Sequence, residues 1–457
     1  MNIINEIQKQ TKEEPIHNVI TNQQNNNIKG NKNETKKISY ICSNDMIKYM
    51  SLLPSNKTRS YFVHSLISAY GLLKKIRIIN PKSANKNDLT VFHSTDYIDF
   101  LLNAENQDFK EKLGKEKYEK KLKEYNLEDD CPIFKGITKY CMLVAGTTLT
   151  AVHELISKKS DIVINWDGGR HHAMAQKASG FCYVNDIVLG MFKLSRYYKR
   201  IMYIDLDIHH CNGVEEAFYY TSKVLSLSIH RYDIGIFPGT GDIKSIGSGR
   251  GIYHTINVPL QPGLNKVSLM QIFERAIKPA KERYNPQAIV IQCGGDGLIG
   301  DPLLHKNDFG NGWNLDLNSY WECINNILKW DLPTLLLGGG GYSNTNVACL
   351  DAFITAKIIN EELDSNIPEH NLLPYYKPDF TLYEYVGKMA DKNIEELIKI
   401  RHKVPIESKS NMESTSINED SNDFDNKNYK YVTESIPYLE YILQEIEKNI
   451  SKIEIVN

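Results

Sequence analysis

Ile201-Met202-Tyr203-Ile204-Asp205-Leu206-Asp207-Ile208-His209-His210 runs from four apolar residues straight into acids and imidazoles. The apolar half is continuous rather than alternating, the pattern of a strand covered on both faces in a mainly parallel sheet. The polar half falls at the carboxyl end, where open α/β sheets hold their ligands. Read as one strand through Ile208, the segment puts Asp205, Asp207 and His209 on one face, because residues two apart point the same way. Unpaired carboxylates on a buried face cost several kcal/mol, so such a face expects a cation.

Four other apolar runs end in the same way. Ile162–Ile164 leads into Asn165-Trp166-Asp167-Gly168-Gly169-Arg170-His171-His172, and Val224–Ile229 ends in His230. Ala288–Gln292 ends in Cys293-Gly294-Gly295-Asp296, and Thr334–Leu337 ends in four glycines and Tyr342. Helical spacing lies between the runs, over Gly146–Ser157, Asn185–Lys199, Gly213–Tyr220, Leu264–Tyr284, Ser319–Trp330 and Asn346–Asn360. Strand, helix, strand at this interval implies βαβ units with right-handed crossovers. The expected fold is therefore a single α/β domain whose mainly parallel central sheet is covered by helices on both faces.

The bulk properties agree. The 457 residues are 41% hydrophobic, enough for a large core, and the formal charge of −2 supplies no field for direct nucleic-acid binding or an acidic membrane. Eight cysteines without a CxxC pair read as buried thiols of a reducing compartment. The N-terminus lacks a signal pattern and no apolar run reaches about 18 residues, so the reading is a non-membrane protein of the cell interior. Composition divides the chain into a disordered Asn-rich extension (1–37), a catalytic domain (38–403), a disordered polar insert (404–430) and a C-terminal helical segment (431–457), with helical spacing over Pro437–Ile455. Glu105–Asp130, rich in lysine and glutamate, reads as a helical excursion over the surface.

Zinc takes oxygen and nitrogen ligands, and a catalytic site uses about three plus an open position. Asp207, His209 and Asp296 would supply them, although Asp205 and Asp207 could instead cap loops or helix starts. His171 and His172, projecting after a glycine pair, suit general acid–base work or metal binding. The glycines before Tyr342 let backbone approach a ligand, and the phenol can donate to an oxyanion. Phe181 and Phe237 could wall an apolar channel, or simply be core.

Taken in order, GGRHHA (168–173), ASGFCYVND (178–186), IDLDIHH (204–210), FPGTGD (237–242), Gly295-Asp296…Gly300-Asp301-Pro302 and GGGGY (338–342) resemble the class I zinc-dependent histone deacetylases, from about Arg59 to Ile358. The resemblance implies the arginase/deacetylase fold and hydrolysis of ε-N-acetyl-lysine. By position it makes Asp207, His209 and Asp296 zinc ligands, with iron a possible substitute. His172 becomes the general base and acid, with Asn212 beside it. His171 becomes its electrostatic neighbour, oriented by Asp205. Tyr342 becomes the residue that polarises the acetyl carbonyl. Gly180, Phe181, Phe237, Leu303 and Gly340 fall along the substrate channel and Asp130 at its rim. Structural potassium is implied at Asp205, Asp207, His209, Ser228 and Ile229, and a second ion at Phe218, Thr221 and Val224, where His254 replaces the usual tyrosine.

Departures from the family pattern narrow the expectation. Where class I members read HHGDGV, this chain has His209-His210-Cys211-Asn212-Gly213-Val214, so an amide replaces the aspartate facing His172. Pro302 and Thr345 stand where co-repressor-bound members grip an inositol phosphate with arginines, so that site is expected to be absent. Pro302, Arg59 and Val63–Ile67 instead resemble the stand-alone branch, which includes cohesin deacetylases; Leu303 and Arg170 depart from it. Implied substrates are acetylated histone tails or a cohesin subunit, in nucleus and cytoplasm. The rivals are an acetylpolyamine deacetylase, a weakened acetyl-lysine-binding scaffold and a manganese ureohydrolase. The last needs further aspartates near Asp296, where Gly297 and Leu298 stand.

Overall fold

The computed structural model describes residues 36–305, 312–382, 387, 389–405 and 429–454. The Asn-rich extension up to residue 35 and the insert over 406–428 lie outside them. Eight parallel strands form the central sheet. They are β1 (Ile38–Ile41), β2 (Arg77–Ile79), β3 (Ile162–Asn165), β4 (Ile201–Asp205), β5 (Val224–Arg231), β6 (Thr255–Leu260), β7 (Ala288–Gln292) and β8 (Thr334–Leu337), in the order β2-β1-β3-β8-β7-β4-β5-β6. The strands named from sequence are the five central ones. Every residue of β3, β4, β5, β7 and β8 is buried, which explains their unbroken apolar runs.

Register places the site. Asn165 pairs with Leu337, Leu337 with Gln292, Gln292 with Asp205 and Asp205 with Ser228, so one row crosses the middle of the sheet. Four of these strands end in this row, so their polar continuations leave the sheet at the same level. The fifth, β5, runs on to Arg231.

One expectation needs correction. β4 ends at Asp205, so Asp207 and His209 lie beyond the strand and do not share a pleated face with Asp205. Side-chain turns replace the ladder there: Asp205 Oδ1 accepts from the Asp207 N–H (3.0 Å), and Asp207 Oδ1 accepts from the His209 N–H (3.0 Å). Short acidic side chains that capture the backbone two residues on are what end the strand.

The helices fall near their expected places. Ile137–Ile156, Asp186–Leu194, Asn212–Phe218, Leu317–Leu328 and Asn344–Ile358 correspond to five of the six segments, and the sixth is divided by a π-turn at Phe273–Ile277. Side-chain oxygens of Asn185, Asp316 and Ser343 cap three of them. Two surface helices, Gln107–Leu113 and Lys115–Glu124, occupy the charged excursion and bury no residue. An antiparallel hairpin of β9 (Leu397–Pro405) and β10 (Tyr429–Pro437) brackets the undescribed insert. The following helix, Tyr438–Ile450, packs back through Leu439, Ile442, Leu443 and Ile446 at helical spacing, and Arg275 grips Glu440 and Glu447 at 2.5 and 2.6 Å. Among the described residues no helix is long and apolar enough to cross a membrane.

Candidate active site

Asp207, His209 and Asp296 each offer a buried donor atom, and these atoms lie within 4.8 Å of one another. His209 Nδ1 lies 3.1 Å from Asp207 Oδ1 and 2.9 Å from Asp296 Oδ2. The outer oxygens are held too. Asp207 Oδ2 accepts from Gln292 Nε2 and from the Gly340 N–H, both at 2.8 Å, and Asp296 Oδ1 accepts from the Ile208 N–H at 3.0 Å. Burial, followed by the Asp207 charge, pushes the Asp296 carboxyl up to about 7. Burial opposes charge on His209 as well, but the flanking carboxylates outweigh it and push the imidazole up to about 10. Two carboxylates and an imidazole competing for protons in a dry pocket suit a divalent cation, and oxygen and nitrogen donors fit zinc or iron. A Cβ on Gly340 would run into both Asp296 and Asp207, so glycine alone leaves room for this arrangement.

The histidine pair is asymmetric. His171 Nδ1 meets Asp205 Oδ2 at 2.8 Å, and Tyr203 also donates to that oxygen. Burial opposes the His171 charge, but Asp205 and Asp207 outweigh it and raise the imidazole above its usual range. His172 Nδ1 meets only the neutral Asn212 Oδ1, at 2.8 Å. Burial first, then the charges of His171 and His209, hold His172 well below the imidazole range. The rings stand 3.9 Å apart, and His172 lies 5.9 Å from His209. The two adjacent imidazoles are thus pushed in opposite directions, with the donor cluster beside them. Tyr342 is kept a phenol by burial and by the Asp296 and Asp207 charges. Its backbone N–H donates to Asp301 Oδ2 at 2.7 Å.

One cleft is lined by His171, His172, Gly180, Phe181, Asp207, His209, Gly340 and Tyr342. The Phe237 ring stands 4.8 Å from His172 and the Phe181 ring 5.8 Å from Tyr342. Gly180 (φ +51°) admits the His172 and Phe237 rings where a Cβ would collide with both. Residues 53–357 match the histone deacetylase domain. The chain is 42% identical over 335 residues to histone deacetylase 8 of Xenopus tropicalis, covering 73% of this chain and 87% of that protein. It is 40% identical over 366 residues to histone deacetylase 9 of Arabidopsis thaliana (79% and 82% covered), and 37% over 366 residues to histone deacetylase 1 of Homo sapiens (80% and 73% covered).

The chain belongs to the histone deacetylase family. It is a lysine deacetylase, a hydrolase acting on acetylated protein, and its eight-stranded parallel sheet flanked by helices is consistent with the arginase/deacetylase fold. Several supports of this deacetylase's cleft escape sequence reasoning. Arg59 reaches back to donate to the carbonyls of Gly339, Gly340 and Gly341 at 2.7, 3.2 and 3.2 Å, fixing the glycine loop. Gln292 was legible only as a strand end, and Asp301 only as part of a motif. Ser55 and Asn56 line the cleft from a short turn and carry no sequence signal. Asp130 and Leu303 are exposed and are not among the cleft-lining residues. Phe218, Thr221 and Val224 cluster where the Asn212–Phe218 helix turns into β5, with the Thr221 N–H donating to the Phe218 carbonyl at 3.1 Å.

Proposed function

We propose that this deacetylase hydrolyses ε-N-acetyl-lysine with zinc held by Asp207, His209 and Asp296, iron being the alternative occupant. Such a cation supplies Lewis acidity, lowering the pKa of water towards about 7 and polarising an acyl carbonyl. His172, neutral and with Nδ1–H donating to Asn212, takes a proton from the attacking water at Nε2 and returns it to the departing lysine nitrogen. His171, tied to Asp205, remains charged and stabilises negative charge building nearby. The Tyr342 hydroxyl donates to the developing oxyanion, a contact worth roughly 3–4 kcal/mol in comparable sites. Phe181 and Phe237 pass a neutral acyl-lysine stem and disfavour a charged one, with Gly180 and Gly340 along its path, and the exposed Leu303 and Asp130 meeting the substrate outside the cleft, Asp130 holding its backbone at the rim.

The reading extends to parts of the chain beyond the cleft. Residues 38–403 would form the catalytic domain. Potassium would sit at Asp205, Asp207, His209, Ser228 and Ile229, and again at Phe218, Thr221 and Val224. Pro302 and Thr345 leave no arginine for an inositol phosphate, so the enzyme would act alone on histone tails or a cohesin subunit, in nucleus and cytoplasm.

The observation that carries the mechanism is the convergence of His172, the Asp207–His209–Asp296 cluster and Tyr342 on one cleft. The test is turnover of a panel of acetyl-lysine peptides and acetylpolyamines by zinc-loaded protein, beside Tyr342→Phe. Peptide turnover lost in the variant supports the reading. Turnover of acetylpolyamines alone reassigns the substrate, and binding without turnover makes the protein a scaffold.

A further inference from the structure

A second cavity, of about 270 Å³, adjoins the catalytic base through Asn212, which lines it and whose Oδ1 lies 2.8 Å from His172 Nδ1. That volume is just under the range of small-molecule sites and suits one long side chain rather than a cofactor. Its walls are fixed. His210 Nδ1 lies 2.8 Å from Thr240 Oγ1, and Nε2 lies 3.0 Å from Glu215 Oε2. Asn257 Nδ2 and Ser245 Oγ donate to the same carboxylate at 2.7 and 2.8 Å. Burial opposes the Glu215 charge, but these hydrogen bonds outweigh it and hold the carboxyl below its usual range.

Glu215 is joined in the lining by Glu216, which is exposed and makes no ion pair among the described residues, and no lysine or arginine lines the cavity. Tyr219 and Tyr220 stand edge to face with ring centroids 5.4 Å apart, and Tyr220 is 69% exposed. Met174 adds a polarisable thioether. Carboxylate charge beside aromatic rings is the lining that recognises ammonium and guanidinium groups, and it repels anions. Position ties the cavity to the cleft. Thr240 lines it, while Phe237, three residues earlier in the same turn, is 40% exposed with its ring 4.8 Å from His172. Three residues span at most about 11 Å, so an extended peptide crossing this turn brings side chains a few positions from the acetyl-lysine within reach.

We propose that this cavity is a cation-binding pocket that takes the ammonium or guanidinium group of a lysine or arginine flanking the acetyl-lysine in the substrate protein. A free polyamine carries the same chemistry, and the experiment separates the two. Cation binding itself does not depend on deacetylation; the assignment to substrate rests on the cleft being the site of that reaction.

Calorimetry on the zinc-loaded full chain compares Nα-acetyl-arginine methylamide with its citrulline counterpart, a neutral isostere, and with spermidine. The two cations should bind where citrulline does not. Glu216→Gln and Tyr220→Ala should each weaken cation binding by about two- to fivefold, the range for one exposed charge or cation–π contact, and together by about tenfold. Both side chains are exposed, so neither change threatens folding. The second measurement is kcat/KM for acetyl-lysine peptides carrying arginine or citrulline at each position up to four from the acetyl-lysine. An arginine preference at one spacing, expressed in KM and reduced in both variants, assigns the pocket to a substrate side chain. Spermidine binding reduced in both variants, without any peptide preference, keeps the pocket but overturns its assignment to substrate. Cation binding that is absent, equals that of citrulline or is unchanged in both variants overturns the proposal. Absence of turnover on every peptide would refute the deacetylase mechanism instead and leave the calorimetric comparison standing, so the two failures are distinct.

Discussion

Replacing Asn212 by aspartate would set a charge where His172 Nδ1 now meets a neutral amide oxygen at 2.8 Å. Burial, reinforced by His171 and His209, already holds His172 well below its ordinary range. A carboxylate whose charge centre lies about 4 Å from the imidazolium, at an effective dielectric of about 20, attracts it by ~4 kcal/mol. Desolvation of the new carboxylate removes part of that, leaving ~1–3 kcal/mol, or about ten- to a hundredfold in proton affinity. The sign follows directly. The wild-type imidazole stays neutral, and competent as a base, to lower pH; the variant keeps its proton to higher pH. The acid limb of kcat/KM, which reports the free enzyme's base, should therefore move up by about one to two pH units in Asn212→Asp. The assay is kcat/KM for an acetyl-lysine peptide against pH, at saturating zinc and with bound metal measured at each point, because His209 and Asp296 also titrate. Superimposed limbs, or an acid limb moved downward, would refute the account of Asn212.

Tyr342→Phe removes one hydroxyl from a half-buried phenol and should lower kcat by about 10²–10³ with peptide KM little changed, checked by steady-state kinetics. Metal binding must displace protons from His209, held up to about 10, and Asp296, held up to about 7. Affinity should thus tighten as pH rises through neutrality, and chelator competition at several pH values that shows no trend would contradict this. Asp167→Asn strips the partner from His64, 2.9 Å away and fully buried, and should destabilise the fold by about 3–5 kcal/mol in denaturant titration. Burial opposes the His64 charge, but Cys42 and Asp167 outweigh it and raise the imidazole from 6.5 to about 10. Its contribution is therefore full below 6.5 and fades as pH rises towards 10, so the gap between wild type and variant should narrow in alkali.

The centre of the fold was legible because β3, β4, β5, β7 and β8 are buried on both faces and must be written as unbroken apolar runs. The edges were not. β2 is only three residues long, with Arg77 exposed, and β6 carries Pro259, so neither has the apolar continuity that marks a central strand. The β9–β10 hairpin closes around a polar insert, and its two strands have no local turn sequence joining them. The helix Arg59–Ala69 buries Arg59, Ser60 and His64 along with its apolar residues, which blurs the stripe that a helical period would show.

At the site, local spacing named the chemical groups, and only the family resemblance paired His171 with Asp205 and His172 with Asn212. Asp205, Asp207 and His209 read as one strand face, yet the chain leaves the sheet at Asp205 and the three converge through side-chain turns instead. The pair of adjacent histidines looks symmetric in sequence. The structure gives His171 a carboxylate and His172 an amide; Asp205 raises the first imidazole, whereas burial and the charges of His171 and His209 lower the second. Asn212 lies 40 residues from His172 and Asp205 lies 34 from His171, so no local pattern could pair them. The same distance hides Arg59, which braces the glycine loop from 280 residues away. Arg170 is the converse case: its oddness is visible in sequence beside the histidines, but only the structure shows it buried with no hydrogen-bond partner at Nε. Catalytic groups can thus be read from local spacing at strand ends, whereas their protonation states, and with them the direction of proton transfer, are set by residues the sheet brings together from far along the chain.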